Sequence, residues 1–391
     1  MEKETFREMK KIGIITIHKS PNYGACLQSY ALWEYIHKMG CDVEIIDLLR
    51  PTHKEYKASR NFKECRPPKR SILAKIKSRI RTLLKKNNKA PLSELSKKKF
   101  DQFNSKICLS RTYISIDDLY KNPPIYDLYI TGSDQVWNPT QSYCIEPYFL
   151  SFAPKDKMKI SYASSIGITE LQENEARMFK DRLASYSAIS VREHTAKVLL
   201  EQITGQSIEQ VADPTFLLPH DTWQHLSKSS EYTFIDYIFL FTLSYNADLF
   251  EYTATLSRQS KKQFIYLCGN INSVPVQVRQ RCTFLSDAGP CDFLYLIEKA
   301  TLVITESFHC TVFSIIMETN NFYTFIPQGN NRGSRITDLL SRFSLQTHLL
   351  TTPLKQSYEQ LMENEINHES INAVYREMQC ESQTFLNKYL Q

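Results

Sequence analysis

KIGIITIHKSPNYGACLQSYALWEYIHKMGCDVEIID, Lys11–Asp47, is the stretch on which the reading of the fold turns. Lys11–Ile17 is an apolar run of strand length, and the loop HKSPNYGA separates it from LQSYALWEYIHKMG, whose apolar positions return at helical spacing until Gly40. CDVEIID, Cys41–Asp47, supplies the next strand. Strand, loop, helix and strand in that order make a βαβ crossover, because parallel neighbours need a long connection rather than a tight turn.

The same rhythm resumes downstream. YDLYITGSD (Tyr126–Asp134), KISYASSIG (Lys159–Gly167), SAISVRE (Ser187–Glu193) and IEQVADP (Ile208–Pro214) are apolar runs that end in small or polar residues. A second series carries strands at YIFLFTL, QFIYLCG and TLVITES, with helical stretches such as ADLFEYTATLSRQ and CDFLYLIEKA between them. The pattern predicts an α/β protein of two Rossmann-like parallel-sheet domains, residues 1–225 and 226–350, followed by a polar helical tail over 351–391 that packs back across the first domain. With 391 residues, 42% of them apolar and 12% aromatic, the chain has ample material for two buried cores.

Charge is distributed unevenly. Twenty Lys and Arg face four acids between Arg50 and Arg111, so the rest of the chain carries about minus ten against an overall +6. Inside this 50–111 insertion, Ile72, Leu73, Ile76, Ile80, Leu83 and Leu84 repeat at helical spacing opposite Lys75, Lys77, Arg79 and Arg81, which predicts a basic amphipathic helix. Such a helix either rests on an anionic membrane surface or covers the domain's flank with its basic face in water. It lacks the interleaved aromatics of a nucleic-acid site, so no nucleic-acid partner is expected. The ten cysteines show neither C-x-x-C pairs nor Cys/His ligand spacing, and the N-terminus has no secretion signal. These features predict reduced thiols, no metal and a cytoplasmic location, peripheral to the inner membrane face if the basic helix binds lipid.

Only ten glycines occur, where ordinary usage of about 7% would give roughly 27. Gly24, Gly132, Gly167, Gly269 and Gly289 all fall at or just beyond predicted strand ends, where open α/β sheets place ligands.

The strongest chemical signal is TLVITESFHCTVFSIIMET, Thr301–Thr319, a buried strand running into an apolar helix with Ser307, Phe308 and His309 at the junction. Ser307 is the expected N-cap. The helix start beyond it suits a phosphate or carboxylate, and His309 beside it suits proton transfer or simple capping. Arg192 in SVRE, with Arg332 and Arg335 in QGNNRGSRITDLL, offers clamps for an anionic donor or else surface charge. On the first domain Asn22, Gln28, Asp134, Trp137 and Asn138 combine amides, a carboxylate and a ring able to bind a sugar, although Tyr23 and Trp137 serve a core equally well.

Taken in order, NYGACLQSYAL, YDLYITGSDQVWN, YASSIG, ISVRE, VADPTFLL, GPCDFLYLIEKATLVITESFHCTVFSII and SRITDLL resemble the blocks of polysaccharide pyruvyl transferases over most of Lys11–Leu345. The resemblance implies paired Rossmann-type domains facing a cleft, as in GT-B glycosyltransferases. It implies phosphoenolpyruvate as co-substrate, with no further cofactor, and a sugar or lipid-linked oligosaccharide as acceptor. It also matches His309 to the family's SFHG histidine and Arg192 to a donor-binding arginine. The chain departs from the family at Cys310, where glycine is usual, and at Glu306, where aspartate is frequent. A side chain at 310 is expected to crowd a phosphate at the helix start, which keeps a silent sugar-binding role open beside a nucleotide-sugar transferase on the same architecture.

Overall fold

The computed structural model describes residues 9–51, 53–62, 93–327 and 333–391. Strands β1 (Lys11–Ile15), β2 (Asp42–Ile45), β3 (Leu128–Thr131) and β4 (Met158–Ser161) form a parallel sheet in the order β2-β1-β3-β4. Bridges Ile160↔Ala188 and Ser164↔Val191 continue it toward the short parallel pair β5 (Ser190–Val191) and β6 (Glu209–Gln210). The second sheet contains β7 (Tyr237–Thr242), β8 (Gln263–Cys268), β9 (Thr283–Leu285), β10 (Leu302–Thr305), β11 (Phe322–Phe325) and β12 (Leu349–Leu350). Its order is β12-β11-β10-β7-β8-β9, parallel throughout, which is the strand order of dinucleotide-binding sheets.

The central strands β7 and β10 are buried at every position because helices cover both faces, and this is why they read as unbroken apolar runs. Each sheet reverses the direction of strand addition once, between β1 and β3 in the first and between β7 and β10 in the second. Loops diverge at such a reversal and leave a crevice beyond the carboxyl ends of the strands. The predicted first helix spans Tyr23–Lys38, with Gly40 just past it at φ +80, the left-handed residue that ends many helices.

The two halves share one apolar seam. Tyr23, from the first helix, stacks on Phe293 at 4.8 Å between ring centroids and meets Phe241 edge-on at 5.8 Å, both from the second half. Its hydroxyl donates to the Ala288 carbonyl at 3.1 Å. The helix Glu94–Asn104 reinforces this join, with Ser96 Oγ donating to the same carbonyl and Lys99 paired to Asp292 at 2.8 Å. Gly289 is required there, since a Cβ would stand 2.4 Å from Lys99 Cβ.

The tail helix, His368–Leu390, runs across the first half. Tyr375 Oη donates to the Leu218 carbonyl, Ser382 Oγ accepts from Ala212 N, and Asn387 accepts from Tyr35 Oη. The basic helix expected over Ile72–Leu84 lies outside the described residues. No described helix is long and apolar enough to cross a membrane. Leu386 in the tail is fully buried in the main core. Leu386→Ala should lower unfolding stability by about 2–5 kcal/mol through the cavity it leaves, read as a shifted urea midpoint. An unchanged midpoint would show that the tail adds nothing to the core.

Candidate active site

Both sheet reversals open on the same cleft, which encloses about 320 Å³. The loops after β1 and β3 bring Ser20, Asn22, Asp134 and Gln135 to one wall, joined by Arg50 and Tyr143. The loop after β10 brings Glu306, Ser307, Phe308 and His309 to the other, joined by Arg335 from the helix Ser334–Arg342.

Ser307 caps the helix Phe308–Ile316, its side chain accepting from Cys310 N. The first N–H groups of that helix have no intrahelical acceptor, and the helix dipole adds partial positive charge at the cleft wall. Asn22 caps the Tyr23–Lys38 helix in the same way, accepting from Ala25 N at 3.1 Å. Two helix starts therefore border one cleft. Cys310 does not obstruct it. Its side chain is fully buried in the core, and burial pushes the thiol up to about 12, so the expected crowding of the helix start does not arise.

His309 is held from both sides. Its Nε2 lies 3.4 Å from Asp213 Oδ2, long for a hydrogen bond, so the carboxylate acts on the ring chiefly through charge. The edge bearing Nδ1 packs on Gly24, where a Cβ would stand 2.1 Å from that nitrogen. Asp213 is fully buried, and its Oδ1 accepts from Thr215 N and Oγ1 while Oδ2 accepts from Arg192 Nη1 at 2.5 Å. Burial alone opposes charge on Asp213. The neighbouring His309 and the guanidinium of Arg192 outweigh it and hold the carboxyl well below the usual range.

Arg192 does not stand in the open cleft as its sequence position suggested. It lies behind Phe308, with its guanidinium 4.5 Å from that ring, and lines a smaller adjoining chamber. Asp213 and Glu193 already match its charge, although its Nη2 is buried without a hydrogen-bond partner. Burial disfavours its charge, but Glu193 and Asp213 more than offset this and raise its pKa. Arg335 borders both spaces, 5.4 Å from the Phe308 ring, while Arg332 lies outside the described residues.

Three residues expected to bind sugar are placed elsewhere. Gln28 is fully buried and donates to Thr16 Oγ1, the Ile17 carbonyl and the Ala25 carbonyl, fastening the first helix to the end of β1. Trp137 is a core ring, stacked on Phe149 at 5.6 Å with Nε1 bonded to the Tyr148 carbonyl. Asn138 is buried and donates to Gln135 Oε1 at 2.7 Å, so it positions Gln135 rather than a ligand. Asn22 and Asp134 do reach the cleft. Asp134 adopts φ +69, a left-handed conformation that aspartate tolerates better than most residues, and its Oδ1 accepts from Gln135 N. Arg50, Gln135, Tyr143 and the supporting Asp213 were not singled out from the sequence. Of these only Asp213 carried a signal, as the carboxylate ending the run VADP.

Two outcomes follow from this geometry. Gly24→Ala should displace the His309 ring and abolish turnover while leaving the apolar seam folded, read by comparing catalytic rate with melting temperature. Normal turnover would mean that the ring has room to move. Asp213→Asn should cost about 3–5 kcal/mol at neutral pH by leaving Arg192 buried and less compensated. Because the folded pKa of Asp213 is depressed, its stabilisation is complete above the ordinary carboxylate range and fades as the pH falls toward the native value. The variant's stability should therefore fall less steeply in acid than the wild type's, and parallel acid limbs in urea unfolding would contradict the pairing.

Comparisons agree with this architecture. Residues 22–323 match the model of a family described as polysaccharide pyruvyl transferase. Among solved structures, UDP-N-acetylglucosamine 2-epimerase from Rickettsia bellii is similar with a TM-score of 0.54 at 10% identity, over 98% of this chain and 97% of that one. The glycotransferase of kitacinnamycin gives a TM-score of 0.50 at 9% identity, over 97% and 99% of the two chains. At these identities the likeness is one of fold, two Rossmann-like sheets facing a cleft in the GT-B manner. No curated protein matches the sequence. With the family's model covering most of the chain, this protein belongs to the polysaccharide pyruvyl transferase family and is a transferase of GT-B architecture.

Proposed function

We propose that the protein moves the enolpyruvyl group of phosphoenolpyruvate onto two hydroxyls of a sugar in a cell-surface polysaccharide precursor, giving a cyclic pyruvate ketal and phosphate. The observation that carries this reading is a histidine backed by a buried carboxylate at a helix start, inside the cleft where both sheet reversals meet.

In the reaction the methylene carbon of the donor takes a proton and C2 becomes electrophilic. One sugar hydroxyl adds to C2, the C2–O bond to phosphate breaks, and a second hydroxyl closes the ketal. Of the two hydroxyl protons, one balances the proton taken by the methylene carbon and the other leaves with phosphate. The helix start at Phe308 and the guanidinium of Arg335 suit the donor's phosphate. Asp213 lies on the Nε2 side of His309, and its carboxylate balances the charge that develops on the ring as the imidazole exchanges a proton. Arg192 acts from behind, holding Asp213 in place.

Asp134 is the better base toward the acceptor. Both carboxylate oxygens of Glu306 are engaged, by Leu243 N and by Asn246 Nδ2, whereas Asp134 has one oxygen on Gln135 N and its other oxygen without such a tie among the described residues.

His309→Ala should lower phosphate release from phosphoenolpyruvate plus a saccharide acceptor by about 10²–10⁴-fold. The rise in melting temperature caused by phosphoenolpyruvate should persist in the variant, and nucleotide sugars should cause none. Undiminished release would remove the histidine from the mechanism, and stabilisation by a nucleotide sugar alone would replace the donor.

A further inference from the structure

We propose that Arg50 is an oxyanion-binding residue on the first-half wall of the cleft, placed to take a phosphate or carboxylate of a ligand there. The clearest ground is its unmatched charge. Arg111, Arg182, Arg192, Arg281 and Arg342 each have a carboxylate partner, and Arg258 and Arg279 donate to backbone carbonyls. Arg50 makes no ion pair with any described residue, and its buried Nε lacks a hydrogen-bond partner. Buried donors in folded proteins are nearly always satisfied, and this incompletely bonded guanidinium belongs to a residue that lines the cleft, where a ligand can bring an acceptor.

The guanidinium is also held ready. It lies 4.1 Å from the centroid of the Tyr143 ring, and that ring is pinned by its hydroxyl donating to the Gln135 carbonyl at 2.5 Å. Tyr143 is only 4% exposed, so the platform is rigid. A guanidinium lying on a ring keeps its N–H donors in plane at the edge, where they meet the two oxygens of a carboxylate or phosphate side by side. The helix start capped by Asn22 borders the same wall and adds positive potential.

Arg335 and the Phe308 helix start already supply the opposite wall with an anion site, so Arg50 is a second one. Its ligand is either the donor's remaining anionic group or an oxyanion carried by the acceptor sugar. Naming these two sources rests on the pyruvyl transfer reading, whereas anion binding at Arg50 is measurable without turnover.

The experiment is calorimetric titration of the wild type, Arg50→Gln and Arg50→Lys with phosphoenolpyruvate, glucose 1-phosphate and neutral glucose, with thermal unfolding as the check on folding. Arg50→Gln should weaken at least one of the two anionic ligands roughly ten- to hundredfold and leave glucose unaffected. Arg50→Lys should recover only part of the loss, because an ammonium keeps the charge but not the planar fork. A loss confined to glucose 1-phosphate assigns the residue to the acceptor, and one confined to phosphoenolpyruvate assigns it to the donor. If phosphoenolpyruvate fails to bind even the wild type while glucose 1-phosphate responds to the substitution, the donor reading falls and the Arg50 site stands. Should Arg50→Gln not fold, weakened anion binding by Arg50→Lys supports the site and unchanged binding overturns it. Equal anion affinities in wild type and a folded Gln variant, or no binding of either anion by the wild type, overturn the proposal.

Discussion

The approach of Gly24 to His309 is the constraint around which the site is built. With no Cβ at position 24, the first turn of the first helix closes directly on an imidazole that belongs to the other half of the molecule. That contact continues into the apolar seam through the neighbouring Tyr23, which stacks on Phe293 and bonds to the Ala288 carbonyl. Each such ring removes roughly 150–250 Å² from water, so the relative placement of the halves is set by packing and the histidine inherits that precision. A site assembled from two sheets needs a rigid seam of this kind, since small displacements of a proton-transferring group are costly in rate.

Electrostatics then divides the region into a buried network and a cleft wall. Behind Phe308, Arg192 is surrounded by Asp213 and Glu193, and Asp213 in turn faces the histidine. This buried network has little charge to offer a ligand and serves to orient the ring. In front of Phe308, helix starts, Arg50 and Arg335 line the cleft with positive potential, set against Asp134 and Glu306. Phe308 is the partition, with the guanidinium groups of Arg192 and Arg335 4.5 and 5.4 Å from its ring.

Much of this was legible from residue order. The strand, loop, helix and strand of Lys11–Asp47 announced a parallel sheet, and the junction at Ser307–His309 announced a capped helix start beside a histidine. Observed ladders are shorter than the apolar runs that signalled them. TLVITES pairs only over Leu302–Thr305, because Glu306 and Ser307 leave the sheet to form the cleft wall. β9, β11 and β12 were not anticipated, since strands of two to four residues carry almost no periodicity of their own. Gln28, Trp137 and Asn138 were misplaced for a common reason. Amides and indoles serve a ligand or a core with the same atoms, and burial alone distinguishes the two.

By itself, then, the sequence determined the class of sheet, the family and the position of the helix start with its histidine, because these depend on local periodicity, capping chemistry and the order of short motifs. Tertiary structure decided which charges are free. Whether an arginine is a ligand clamp or a buried strut depends on which carboxylate meets it from a distant part of the chain, as Asp213 meets Arg192 across 21 positions while Arg50 meets none among the described residues. That pairing is long-range and non-periodic, and no local pattern encodes it.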